Sequence, residues 1–212
     1  MLSTDAIETL FHRLSEAAPE HLEAPQSKIG ANPFRSLISV VLSAQSRDEM
    51  TARARDSLFA VADTPEAILA LDEREIAGLI KACGLYNMKA KSVRKLCAAL
   101  LDRHDGVVPS DRKSLEALPG VGRKSTDILL RFVFDQPVVA VDTHVNRVCN
   151  RLGLARGKTE AQTARDLEPK VPAKYAWGAH IWLLDHGKQV CKSRKPRCEG
   201  CRLSDLCERN GL

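Results

Sequence analysis

The chain has 212 residues, enough for one sizeable hydrophobic core or two smaller ones. Its 32 lysines and arginines against 27 acids leave a net charge of +5, a moderate excess that suits a polyanionic partner without requiring one. No run reaches the apolar length of a membrane span, and the first residues hold no basic stretch followed by an apolar one. A soluble, cytoplasmic protein with no membrane partner is expected.

In chain order, apolar residues recur at three- and four-residue intervals, with Gly, Pro or Asp-Gly at the breaks, which predicts short amphipathic helices. The first clear one runs from Phe34 to Leu42 and leaves through Ser43, Ala44 and Gln45 into Ser46-Arg47-Asp48. The next spans Glu75 to Cys83, where Gly84 reads as a stop before Leu85, Tyr86 and Asn87. Further helices are predicted from Val93 to Leu101, around Ser114 to Leu118, and from Arg123 onward with Ile128 to Phe134 in its pattern. Val138 to Val141 is the only strand-like run and is short enough to be buried extended chain. The fold class is therefore all-α.

Leu118-Pro119-Gly120-Val121-Gly122-Arg123-Lys124-Ser125 joins two of these helices. Two glycines two residues apart permit a tight turn and a close approach of backbone to a ligand. The turn opens a helix, so free N–H groups and the positive dipole end point the same way, which suits a phosphate. This is the helix-hairpin-helix signature of a sequence-independent grip on DNA backbone; the bland alternative is a corner whose glycines only let two helices pack. Lys124 falls in the first helical turn, at the edge of the stripe of Ile128 and Phe132, where a cation is electrostatically misplaced. That position, with partial desolvation, fits the neutral amine of a Schiff-base nucleophile; a phosphate-contacting lysine is the equal alternative on charge alone.

Eighteen residues on, Asp142 precedes a stripe of Val145, Val148, Cys149 and Leu152 that stops at Gly153, and so stands where an N-cap belongs. Capping and catalysis are compatible, because N–H groups at a helix start hold a carboxylate ionised and aimed, ready to stabilise positive charge developing on a sugar. The seven cysteines divide unevenly. Cys83, Cys97 and Cys149 lie singly in apolar patterns, whereas Cys191, Cys198, Cys201 and Cys207 crowd the tail. An odd, clustered set points to metal in a reducing compartment instead of disulfides, and the spacing by itself admits either zinc or an iron–sulfur cluster. Lys192, Arg194, Lys195 and Arg197 fill the first gap with no acid among them.

Taken together, Leu42-Ser-Ala-Gln45, Gly84-Leu-Tyr-Asn87, Leu118-Pro-Gly-Val-Gly-Arg-Lys124, Val141-Asp-Thr-His144 and the cysteine tail resemble the endonuclease III family, over the chain from about Pro33 to Cys207. The resemblance implies a helix-hairpin-helix glycosylase fold of two helical lobes with a groove between them. One lobe would cover residues 26–136; residues 1–25 and 137–212 would form the other, with a [4Fe–4S] cluster on Cys191, Cys198, Cys201 and Cys207. It implies a bifunctional DNA glycosylase and AP lyase, acting as a monomer on double-stranded DNA with a damaged pyrimidine or an abasic site. Lys124 would be the nucleophile and Asp142 its assistant. Leu85 would be the wedge and Gln45 the filler of the gap, with Gly120, Gly122, Arg123, His144 and Lys195 as further DNA contacts. By the same resemblance Arg147, on the His144 helix, would line the groove with it; the alternatives are a capped or satisfied histidine and an ordinary surface arginine. His12, His21, His104, His180 and His186 show no ligand spacing.

Two rival readings remain. A monofunctional glycosylase of the same superfamily is opposed by Lys124 itself and by the absence of an acid in Phe34 to Gln45. A non-catalytic DNA-binding iron–sulfur paralogue is kept open by departures from the family pattern, namely Arg47 near Gln45, Ser125-Thr126 after the lysine, and Asn146.

Overall fold

The computed structural model of the chain describes residues 2–18 and 32–212, and among them every regular element is a helix. The chain divides into two compact units, Met1–Pro25 with Gln136–Leu212, and Gln26–Asp135. The boundary near residue 25 expected from the sequence, and His21, lie outside the described residues.

In the continuous unit, local capping chemistry sets most helix starts. Helix α2 (Pro33–Ser43) begins on Asn32, whose side chain accepts the Arg35 N–H, with Pro33 in the first turn where its missing donor costs nothing. Helix α3 follows as Asp48–Phe59, and α4 (Pro65–Ala70) repeats the cap-then-proline arrangement on Thr64. Helix α5 (Glu73–Leu79) starts in a reciprocal capping box between Asp72 and Glu75. Helix α6 (Tyr86–His104) is the longest, and α7 (Arg112–Glu116) and α8 (Arg123–Phe132) form the hairpin. Helix α2 packs on α3, α6 and α8, while α6 also receives α4 and α5. Leu37, Ile38, Leu42, Leu58, Ile76, Leu96, Leu100, Leu115 and Leu129 are fully buried. Area removed from water at these positions supplies the main favourable free energy of the unit.

Helix α7 lies two residues earlier than expected and α8 ends at Phe132, short of Phe134; two other elements differ more. The helix expected to reach Cys83 stops at Leu79, because tight turns take over: Lys81 N–H bonds Gly78 O, and Cys83 N–H bonds Ile80 O. The hydrophobic pattern continued, since Ile80 and Cys83 are buried, but they are buried from turns. Conversely, α6 starts seven residues before Val93, with Lys89 and Ala90 already inside.

The other unit is built from both ends of the chain. Helix α1 (Thr4–Glu16) lies against α11 (Ala176–Gln189), which also packs on α9 (Thr143–Leu152). Helix α10 (Glu160–Leu167) closes on α9 and runs into a 3₁₀ turn, Glu168–Lys170; a second, Ala173–Tyr175, leads into α11. Leu10 and Phe11 of α1, Val145 and Val148 of α9, Leu183 of α11 and Leu203 of the tail share one core. The α9–α11 approach depends on a missing side chain: a Cβ on Gly187 would come within 3.1 Å of both His144 and Val148. Val138 to Val141 is buried extended chain, not a strand, and Ala140 O lies 2.7 Å from the His180 ring.

Candidate functional site

Unit Gln26–Asp135 carries two groups of predicted site residues. In the hairpin, Gly120 has φ +80°, a left-handed turn that lets the chain leave Leu118 and re-enter as α8. Gly122 is the N-cap of α8 at φ −96°, brings no side chain to cap the first turn, and is open: a Cβ there would meet nothing within 4 Å. Lys124 is exposed, one turn before half-buried Ile128, so this chain's described residues do not give it the partial desolvation expected from the sequence. Arg123 is directed inward. Its Nε lies 3.6 Å from Asp127, a carboxylate only 1% exposed that also holds Arg112 of α7. This buried acid with two arginines ties the two hairpin helices together.

The second group lies where α2 ends and α6 begins. Gln45 and Leu85 both adopt left-handed backbone conformations, φ +52° and +58°, which side chains rarely take. A Cβ on Gly84 would sit 3.4 Å from Gln45 O, so the two turns are neighbours. Leu85 is 53% exposed and Met88, one turn on, 67%, an apolar tip on an otherwise polar helix start. The Cys83 thiol reaches Leu42 O at 3.6 Å, and the Lys89 ammonium donates to Leu42 O and to Ser46 Oγ, each at 2.7 Å. Arg47 is exposed and stands as N-cap of α3 without a capping side-chain bond.

The remaining predicted residues belong to the other unit. Asp142 caps α9, its Oδ1 accepting the N–H groups of His144 and Val145 at 2.9 Å each. His144 is half-buried, with Nδ1 3.3 Å from the Arg147 guanidinium. Arg147 is no ordinary surface arginine: it donates to Cys191 O at 3.0 Å and to Gly187 O at 2.8 Å. Arg151, one turn on, donates to Lys192 O and Ser193 O and lies 3.6 Å from Cys191 Sγ. Arg151 went unrecognised in the sequence, and Arg147 was read there only as a groove residue, because their acceptors are mostly backbone carbonyls about forty residues away. Lys195 sits exposed at the loop's left-handed tip, φ +51°, with Arg194 and Arg197 exposed beside it.

Cys191, Cys198, Cys201 and Cys207 are free thiols lining one cavity together with Arg151, His186 and Arg209. Among the described residues no three Cys, His, Asp or Glu side chains converge as one metal ion requires, so these thiols surround a space instead of closing on a point. Burial pushes the Cys201 and Cys207 thiols above their ordinary value, and the charges of the neighbouring cysteines add to it. Donors are at hand for anionic sulfur: Arg209 N–H is 3.4 Å from Cys207 Sγ, and His186 Nε2 is 3.7 Å from Cys201 Sγ. A polynuclear, thiolate-bound centre fits this donor set. Nothing in the spacing of His186 marked it as a neighbour of the thiols.

Residues 38–173 match the model of the HhH-GPD superfamily base excision DNA repair proteins. The chain is 47% identical over 178 residues to Endonuclease III of Escherichia coli strain K12, covering 84% of each sequence. It is 44% identical over 209 residues to Endonuclease III of Haemophilus influenzae, covering 98% of this chain and 97% of that one. Among solved structures, a trapped Endonuclease III–DNA covalent intermediate superposes with a TM-score of 0.88 at 35% identity, over 99% of this chain and 97% of that one. Helical architecture, hairpin and sequence agree: the chain belongs to the HhH-GPD superfamily of base excision DNA repair proteins and, within it, to the endonuclease III family of DNA glycosylases and AP lyases.

Proposed function

We propose that the chain removes oxidised or ring-saturated pyrimidines from duplex DNA and cuts the strand 3′ to the resulting abasic site through a Schiff base on Lys124. The observation that carries this reading is an exposed amine in the first turn of a hairpin helix that no side chain caps. Backbone N–H groups at that helix start suit phosphates, which fixes the strand beside the amine without reading its sequence. Leu85 enters the duplex as an apolar wedge and Gln45 occupies the space left by the extruded nucleotide; their adjacency supports paired roles. Lys124 Nζ attacks C1′, the C1′–N bond breaks, and the base leaves with its electron pair. Loss of the amine proton and cleavage of the C1′–O4′ bond, with O4′ taking up a proton, open the sugar to an imine, which acidifies the C2′ proton. Loss of that proton breaks the C3′–O bond and expels the phosphate of the downstream strand, and water then hydrolyses the imine, freeing Lys124 and leaving an unsaturated aldehyde at the 3′ end. Asp142, fixed by two N–H bonds, stabilises positive charge on the sugar and relays protons. Arg123, paired with Asp127, contributes chiefly by stiffening the hairpin.

Cys191, Cys198, Cys201 and Cys207, which line one cavity, would hold a [4Fe–4S] cluster, favoured over zinc by a spacing that resembles the cluster motif of the endonuclease III family. Thiolate bonds from these four cysteines to the cluster would tie the tail together. The loop that Arg147 and Arg151 grip then presents Arg194, Lys195 and Arg197 to phosphates, an affinity that weakens with salt.

Borohydride trapping on duplex DNA containing thymine glycol or an abasic site tests the reading. The wild-type chain forms a covalent adduct, and Lys124→Ala abolishes it while retaining DNA binding and visible cluster absorbance. Absence of an adduct with the wild type, cluster present and DNA bound, would show a non-catalytic paralogue and make Arg47 the first suspect.

A further inference from the structure

Lys89 is a cation buried to 7% exposure, in the first turn of α6, four residues after Leu85. A charge so buried is kept only when its donors are used, and both acceptors here are neutral: Leu42 O and Ser46 Oγ, each at 2.7 Å. Leu42 O belongs to the last turn of α2, whose carbonyls have no partner within the helix, and a lysine is well placed to satisfy one. The two acceptors bracket Ala44 and Gln45, so the amine pins both ends of the turn that carries Gln45 in its left-handed conformation. Meanwhile the Lys89 backbone N–H donates to Leu85 O at 3.0 Å, the bond that anchors the other left-handed residue to its helix. One residue is therefore bonded to positions 42, 46 and 85, on both sides of the Gly84–Gln45 approach. Burial draws the amine below its ordinary value, a cost a methionine of similar volume would not incur. Against that cost stand the two acceptors the amine satisfies, Leu42 O and Ser46 Oγ, and both lie in the Gln45 turn.

We propose that Lys89 is a positioning residue that locks the Gln45 turn to the Leu85 tip, so that wedge and gap-filler enter DNA as one rigid edge. The proposal rests on the roles assigned to those two residues above. It predicts that Lys89 matters where a base must be extruded from a duplex and matters little where the sugar is already accessible.

The test compares wild type, Lys89→Met, Lys89→Arg and Ser46→Ala, each cluster-loaded. One substrate is a thymine-glycol duplex with 2-aminopurine opposite the lesion; the other is a single-stranded oligonucleotide with an abasic site. Losing a buried charge-assisted hydrogen bond is expected to slow single-turnover excision on the duplex about tenfold or more, while trapping on the single strand changes less than about twofold. The 2-aminopurine signal of base extrusion weakens in parallel, Lys89→Arg restores most of both, and Ser46→Ala gives a smaller loss with the same duplex selectivity. Equal losses on both substrates would reveal a merely structural lysine and overturn the proposal, as would an unchanged duplex rate in a folded Lys89→Met. Should Lys89→Met not fold, Ser46→Ala decides through its ratio of duplex to single-strand activity, and an unchanged ratio overturns the proposal. A wild type that neither excises nor traps overturns the functional reading and this inference together, whereas a normal wild type matched by Lys89→Met on both substrates overturns this inference alone.

Discussion

Gly120 and Gly122 flank a single valine, yet the fold asks different things of them. Gly120 is a glycine for the sake of its φ of +80°, so Gly120→Ala should cost about 1–2 kcal/mol in urea unfolding. Gly122 has an ordinary φ of −96° and open space around it. Gly122→Ala should therefore cost less, about 0.5–1 kcal/mol for the poorer N-cap, but bind duplex DNA several-fold more weakly, because the added methyl meets only an approaching phosphate. If both variants lose stability and affinity alike, the hairpin is a packing corner and not a phosphate site. Both glycines were legible from the sequence as a turn, since that requirement is local. What Lys89, Arg147 and Arg151 hold was not legible: each hydrogen-bonds backbone carbonyls far along the chain, and a carbonyl has no letter of its own. Arg123 was read as a DNA contact, and only the buried carboxylate of Asp127 reveals its second allegiance.

At the scale of an element, α9 is the clearest case, because both its ends are written in residues that touch it directly. Asp142 starts it and Gly153, at φ +76°, ends it, as the sequence predicted. The same cap offers a way to separate structure from chemistry. Asn caps as well as Asp, so Asp142→Asn should keep thermal stability within a few tenths of a kcal/mol, whereas Asp142→Ala should lose about 1 kcal/mol. Both should lose excision to a similar large extent if the charge is what the reaction needs; excision retained in Asp142→Asn would reduce the residue to a cap. Helix α5 shows the limit of periodicity. Ile80 and Cys83 satisfy the apolar pattern from turns, and nothing local distinguishes a buried turn residue from a buried helical one.

For the molecule as a whole, both units share an acid vulnerability. In unit Gln26–Asp135 the Asp72 carboxyl is held below its ordinary value first by the Glu75 N–H, and Asp111 by the Ser114 N–H. In the other unit the Lys170 ammonium does this for Asp166 and the Arg13 guanidinium for Asp205. A carboxylate depressed in the fold contributes stability that is present above its unfolded pKa, about 3.9, and lost as pH falls through the lower folded value. Melting temperature should therefore hold from neutral pH to about pH 5 and decline modestly below about pH 4, since these carboxylates lie at the surface. Asp166→Asn should flatten part of that acid limb, and an unaltered limb would show that its partners add nothing. The helical class and the tail cysteines were legible at this scale, because periodicity and spacing are properties of the sequence itself. The loop's attachment to α9 was not, being a matter of which distant carbonyls two arginines find.

The long ion pair from Arg13 to Asp205, 192 positions apart, has a consequence for biosynthesis. Residues 26–135 form an uninterrupted unit that can fold as it leaves the ribosome, but the N-terminal helix made before it has its core partners in α11 and Leu203, which are translated near the end. Helix α1 is thus among the first segments synthesised and among the last to be settled. A premature stop ahead of Ala176 would leave a nascent chain with one finished half and an apolar Leu10–Phe11 face still waiting for α11, a form recognisable to quality control.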